Sequence, residues 1–170
     1  MIFSEKARSK NLAFLFSYMQ KKILVLGIGN YLMGDEGVGV HFAQFLEKEA
    51  LPPGVDVLDG GTGGFHLTHF FEEYPIVILV DATLDDNPPG TIRLIEPRFS
   101  KDFPKAMSTH DIGMKDLIEA LTFMGSLPKI YLFAVSIETL QMQQVTLSLE
   151  IEAILPLLRQ QVMDLVQKLL

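Results

Sequence analysis

The chain contains no cysteine. That removes disulfides, zinc thiolates, iron–sulfur clusters and cysteine nucleophiles together, so metal or catalytic chemistry has to rest on carboxylates and imidazoles. Basic residues are also few, fourteen Lys and Arg against twenty-one Asp and Glu, for a net charge of −7. A nucleic-acid binder needs cations to neutralise phosphates, so this balance excludes nucleic acid as the expected partner. No apolar run approaches the roughly 18–20 residues of a membrane span. Internal repeats and low-complexity tracts are missing as well. What remains is 170 residues, 48% hydrophobic and 21% charged, the composition of a compact soluble domain, and the expected compartment is the cytoplasm. At this size roughly 70% of the unfolded surface is buried on folding, enough for an ordinary core.

Residues 1–18 depart from the rest. Lys6, Arg8 and Lys10 precede a short apolar stretch, in imitation of a secretory signal. An A-x-A-like cleavage site is missing, Glu5 sits among the basic residues, and a strand pattern begins almost at once at Lys22. The expectation is a flexible extension over 1–18 and one α/β domain over 19–170.

From Lys22 onward strands and helices alternate. Residues 23–27 form a continuous apolar run, as a strand covered on both faces should. Val38, Phe42, Phe45 and Leu46 then share one helical face. Strands follow at 55–58, 76–80 and 130–135, with an edge strand or hairpin at 91–95 after Pro88-Pro89-Gly90. Helices are expected at 65–73, ended by Pro75, and at 114–124, closed by Gly125. The last helix begins at Leu149 behind the N-cap candidate Ser148, and Pro156 inside it predicts a kink or two consecutive helices. This alternation predicts a three-layer α/β sandwich, a mostly parallel twisted sheet of about five strands with helices on both faces.

Ligands bind such sheets beyond the carboxyl ends of the strands. Acids collect in those segments: Asp35 and Glu36 after the first strand, Asp59 after the second, Asp81 at the end of the third. His110 follows in the loop Ser108-Thr109-His110-Asp111. Asp85, Asp86 and Asp111 read as turn residues or caps. Asp81 is harder to dismiss, because a carboxylate extending an Ile-Val-Ile-Leu-Val strand is desolvated at some cost. The glycine-rich stretch 27–39 invites a dinucleotide reading and fails it. The third glycine of G-x-G-x-x-G would fall on Leu32, and Asp35 and Glu36 occupy the helix entrance where a pyrophosphate needs bare N–H groups. Two negative charges there invite a cation instead. The turn Asp59-Gly60-Gly61-Thr62-Gly63-Gly64 is weak evidence alone, although it exposes backbone that another chain can approach. There is no G-x-S-x-G elbow, H-E-x-x-H pair or P-loop lysine motif. His66 and His69 read as ordinary helix-face residues, His41 as structural.

Taken in order, these segments resemble the [NiFe]-hydrogenase maturation endopeptidases. The resemblance rests on Ile23-Leu24-Val25-Leu26-Gly27-Ile28-Gly29-Asn30, then Gly34-Asp35-Glu36-Gly37-Val38-Gly39, the Asp59-Gly60-Gly61-Thr62 turn, Asp81-Ala82 and Ser108-Thr109-His110. It implies an enzyme that removes the C-terminal extension of the hydrogenase large-subunit precursor after nickel insertion. It further implies that Glu36, Asp81 and His110 are the metal-binding and catalytic residues, with Asp59 as the glycine-turn acid and a fourth catalytic candidate. Nickel is then presented by the substrate, and another divalent ion can bind at the same site. Two carboxylates and an imidazole are an incomplete coordination set for a divalent ion, leaving positions for substrate ligands. The same carboxylates can alternatively activate water as general base and acid, so an aspartic-type and a metal-assisted mechanism both stand at this point. So do two other functions: a non-enzymatic nickel carrier or chaperone, and a related peptidase acting on another precursor.

Overall fold

The computed structural model describes residues 23–97, 102, 111–141 and 143–170. The expected extension, residues 1–18, lies outside them. Five strands form one sheet: β1 (Ile23–Gly27), β2 (Val55–Asp59), β3 (Ile76–Thr83), β4 (Ile92–Ile95) and β5 (Lys129–Ser136), in the order β2-β1-β3-β5-β4. All neighbours are parallel except β4, which pairs antiparallel with β5 at the edge. The helices are α1 (Val38–Leu46), α2 (Thr68–Glu73), α3 (Asp111–Met124) and α4 (Leu149–Leu169), with short 3-10 turns at Gly34–Gly37 and Phe65–Leu67.

Strand alternation divides the core in two. Ile23 and Val25 of β1, Ile78 and Val80 of β3, and Phe133 and Val135 of β5 pack with Phe42 and Leu46 of α1 and Leu158, Val162 and Val166 of α4. The intervening residues, among them Leu24, Leu26, Val77, Leu79 and Leu132, pack with Phe71 of α2 and Leu117, Ile118 and Leu121 of α3. Both faces of the sheet are therefore buried. That is why its central strands read as unbroken apolar runs. The sandwich expected from the sequence is the one observed.

Two local expectations change. β3 does not stop at Asp81 but continues to Thr83, because β5 offers partners for three more residues, Asp81 opposite Ala134 and Thr83 opposite Ser136. And α4 runs as a single helix through Pro156 rather than as two. Pro156 and Glu152 are exposed, so water can take up the Glu152 carbonyl that the proline leaves without a helical N–H. Among the described residues no helix is long and apolar enough to cross a membrane.

Candidate active site at the carboxyl edge of the sheet

The edge is assembled by close backbone contact. A Cβ on Gly39 would lie 2.1 Å from the Val80 carbonyl oxygen and 2.2 Å from that of Ile28, so only glycine lets the start of α1 rest on the ends of β1 and β3. The preceding 3-10 turn is drawn down with it. A Cβ on Gly29 would be 2.1 Å from the Glu36 carbonyl oxygen, and the turn packs against β3. Glu36 is thereby wholly buried, at 0% exposure, and Asp81 on β3 is 2% exposed. Two buried carboxylates beside one strand end are costly groups for a fold to carry. Asp81 Oδ1 accepts the Ala82 N–H at 2.7 Å.

Asp59 reaches the same edge on the opposite side of the sheet. It shares its rung with Gly27 and turns toward α1, where Gln44 Nε2 donates to Oδ2 at 3.1 Å and the Gly61 N–H to Oδ1 at 2.9 Å. Asp81 has the parity of Val77 and Leu79, the α2 and α3 face. The turn that carries Glu36 thus packs on β3, the strand of Asp81, while Asp59 lies on the other face of the sheet from Asp81. His110 lies outside the described residues. The helix that follows it, α3, starts at this edge too, with Met114 Cε 3.0 Å from where a Gly63 Cβ would stand. Among the described residues, no three His, Asp or Glu side chains are grouped to hold a metal ion. Glu36 and Asp81 carry carboxylate oxygens, donors of the kind that suit a hard or borderline divalent ion.

The acid next to Glu36 has a different task. Asp35, 3% exposed, clamps a strap formed by residues 140, 141 and 143–148. Gln141 Nε2 donates to Asp35 Oδ2 at 2.8 Å, the Asp35 N–H donates to Gln141 Oε1 at 2.8 Å, and the Ser148 N–H donates to Asp35 Oδ1 at 2.7 Å. Gly34 N–H to Gln144 carbonyl and Gln144 N–H to Leu32 carbonyl, at 2.7 and 3.0 Å, continue the seam. Ser148 is the N-cap of α4, its side chain accepting from the Ile151 N–H, so the clamp ties the site turn to the start of a second helix. None of Gln141, Gln143 and Gln144 belongs to a motif, and a sequence pattern gives no sign of the strap.

Between α1, the strap and α4 lies a cavity of about 360 Å³. His41 lines it, stacked on Tyr31 at 4.9 Å between ring centroids. Burial holds the His41 pKa below its ordinary value, against a backbone hydrogen bond to Val145 and the charges of Asp59, Glu152 and Asp35, which pull it up. Asp85 and His69 make local pairs away from this cavity. Asp85 accepts the Asn87 N–H in a turn and pairs with Arg93. His69 is largely exposed and pairs with Glu73 one turn on, at 3.2 Å.

A sequence model described as hydrogenase maturation protease matches residues 40–165. The hydrogenase expression/formation protein HupD of Bradyrhizobium diazoefficiens is 40% identical over 118 residues, which are 66% of this chain and 60% of that protein. Hydrogenase 2 maturation protease of Escherichia coli is 38% identical over 111 residues, 64% of this chain and 68% of the relative. The chain thus spans less than two thirds of the length of the HupD protein. Among solved structures, the hydrogenase-maturating endopeptidase HybD of Escherichia coli aligns with a TM-score of 0.79 at 34% identity, covering 86% of this chain and 93% of that one. A maturation protease HycI from Thermococcus kodakarensis, with a TM-score of 0.70 at 20% identity, shares the fold.

Proposed function

The chain belongs to the hydrogenase maturation protease family, and we propose that it is a cytoplasmic endopeptidase that removes the C-terminal extension of a [NiFe]-hydrogenase large-subunit precursor once nickel is in place. The observation that carries the reading is the pair of buried carboxylates, Glu36 and Asp81, at the carboxyl edge of a sheet of this family's architecture. In this proposal Glu36, Asp81 and His110 complete the coordination of nickel already seated in the precursor, so the metal belongs to the substrate. A site with only three protein ligands leaves room for that. Docking through the metal then fixes the adjacent peptide bond beside the edge loops, which converts loading into a positioning signal for hydrolysis. Asp59 is proposed for the hydrolytic step. Gln44 Nε2 donates to one of its oxygens and the Gly61 N–H to the other, and a carboxylate has about four lone-pair sites, so acceptor capacity remains for a water.

The test is cleavage of purified nickel-loaded and nickel-free precursor at matched concentrations, followed as a loss of mass at the C-terminus. The loaded form alone should be cut. Glu36→Gln, Asp81→Asn and His110→Ala should each abolish cutting and weaken divalent-metal binding, with circular dichroism unchanged. Asp59→Asn should abolish cutting and retain metal binding. Equal rates on both precursor forms would remove nickel as the signal. Binding of loaded precursor without any cut would favour a nickel carrier.

A further inference from the structure

Five of the eleven large apolar side chains exposed among the described residues lie in loops that follow the parallel strands. Tyr31 and Leu32 follow β1, Phe65 follows β2, Leu84 follows β3 and Val145 follows β5, with exposures of 41%, 59%, 57%, 40% and 46%. All four parallel strands thus lead into loops that put an apolar group in water at the carboxyl edge. The fold does not need these groups there, since both core clusters close without them. Exposed apolar residues gathered around one site mark an interaction surface.

Within this rim, Leu32 and Met33 on one loop and Gln143 and Val145 on the strap line an open hole of about 350 Å³. That is near the lower end of ligand cavities, the size for one or two side chains. Three of the four lining groups are apolar. The fourth, Gln143, holds the only positive φ of a non-glycine residue among those described, +59°. Backbone strain of this kind persists where the surroundings enforce it, and it gathers at ligand-binding places. Here the enforcing contacts are the Met33–Gln144 bridge and the Asp35–Gln141 clamp. Met33 is three residues from Glu36, so their Cα atoms are at most about 11 Å apart. An extended peptide covers that in about three residues.

Resting on the proteolytic reading above, we infer that this hole is a specificity subsite. It receives an apolar side chain of the precursor lying within about three residues of the bond that is cut, and the Tyr31, Phe65 and Leu84 rim seats the flanking surface. Leu32 and Val145 are then specificity-determining residues that act on binding and leave the bond-breaking step to the carboxylates.

The experiment measures kcat and KM on the nickel-loaded precursor for the wild-type protein, Leu32→Asp, Val145→Lys and, as a control from the far edge of the sheet, Phe123→Asp, whose side chain is 94% exposed. Leu32→Asp and Val145→Lys should raise KM by about tenfold or more, as expected for losing the burial of one aliphatic side chain, with kcat within twofold and thermal melts unchanged. Phe123→Asp should match wild type. In a second arm the precursor carries a single Asp at each of the three positions either side of the cut. One position should be strongly penalised with the wild-type protein and partly restored with Val145→Lys. Wild-type KM for both Leu32→Asp and Val145→Lys overturns the subsite while leaving the proteolytic reading intact. No cleavage by the wild-type protein overturns that reading and this inference with it.

Discussion

Replacing Asp35 should separate its role from that of Glu36 beside it. Asp35→Ala removes two accepted hydrogen bonds, from Gln141 Nε2 at 2.8 Å and from the Ser148 N–H at 2.7 Å. Bonds to a charged acceptor are worth about 1.5–3 kcal/mol each. Gln141 and Ser148 are only half-buried, so water recovers part of the loss, and the net cost is about 2–4 kcal/mol. For a chain of this length each kcal/mol moves Tm by about 2–4 °C, so the melt should fall by about 5–15 °C. A sharper version uses the direction of the bonds. Asp35→Asn sets an NH₂ against the Gln141 NH₂. If Gln141 turns over to accept from it, the bond from the Asp35 N–H to Gln141 Oε1 is lost. Gln141→Glu on that background provides an acceptor for both the new amide and the backbone N–H, while the asparagine carbonyl still accepts from Ser148. The double variant should therefore be more stable than Asp35→Asn alone, by about 1 kcal/mol or more. The assay is urea unfolding of the wild type, Asp35→Ala, Asp35→Asn, Gln141→Glu and the double variant. Additive losses, or a drop below about 0.5 kcal/mol for Asp35→Ala, would refute the clamp.

Gly39→Ala should cost about 3 kcal/mol or more, because the new methyl meets two backbone carbonyl oxygens at about 2 Å and nothing there can yield. Gly61→Ala, at φ +53° with no atom near the methyl, should cost about 1 kcal/mol by strain alone; calorimetry that ranks the two the other way removes the close-packing account. For His41, burial is the largest influence and places the folded pKa below the unfolded value of about 6.5. The unfolded chain then binds the extra proton, so this contribution is complete above about pH 6.5 and is lost as pH falls through that value. His41→Phe keeps a ring on Tyr31 and should lose less of its urea midpoint than wild type between pH 7.5 and 5.5; parallel losses would show that His41 does not titrate against folding.

Much of the architecture was legible because burial on both faces writes itself as apolar runs in β1, β3 and β5, and five strand segments among 3.6-period ones leave few topologies. The acids at the strand ends were legible for the same reason, since Asp59 and Asp81 interrupt those runs. What escaped was direction. Asp59 follows Val55 and Val57 in parity, and Asp81 follows Val77 and Leu79. The faces those residues take depend on which helix packs where, a tertiary fact that a single strand does not carry. The extension of β3 past Asp81 depended likewise on its partner strand. The strap that Asp35 holds was invisible for another reason. Its hydrogen bonds link residues 106 to 113 positions apart, and no local propensity records a contact of that range.

The division of labour between Asp35 and Glu36 follows from the turn that carries them. In a 3-10 helix successive side chains are about 120° apart, so neighbours cannot face the same surroundings. Gly34–Gly37 is such a turn, pressed against β3 on one side and against the strap on the other. One carboxylate is thereby directed to Gln141 and Ser148 and holds the strap. The other is buried completely at the strand end. The two adjacent charges, which looked in sequence like a doubled cation site, are therefore one structural acid and one candidate ligand. The structural one holds in register the same strap that lines the apolar hole.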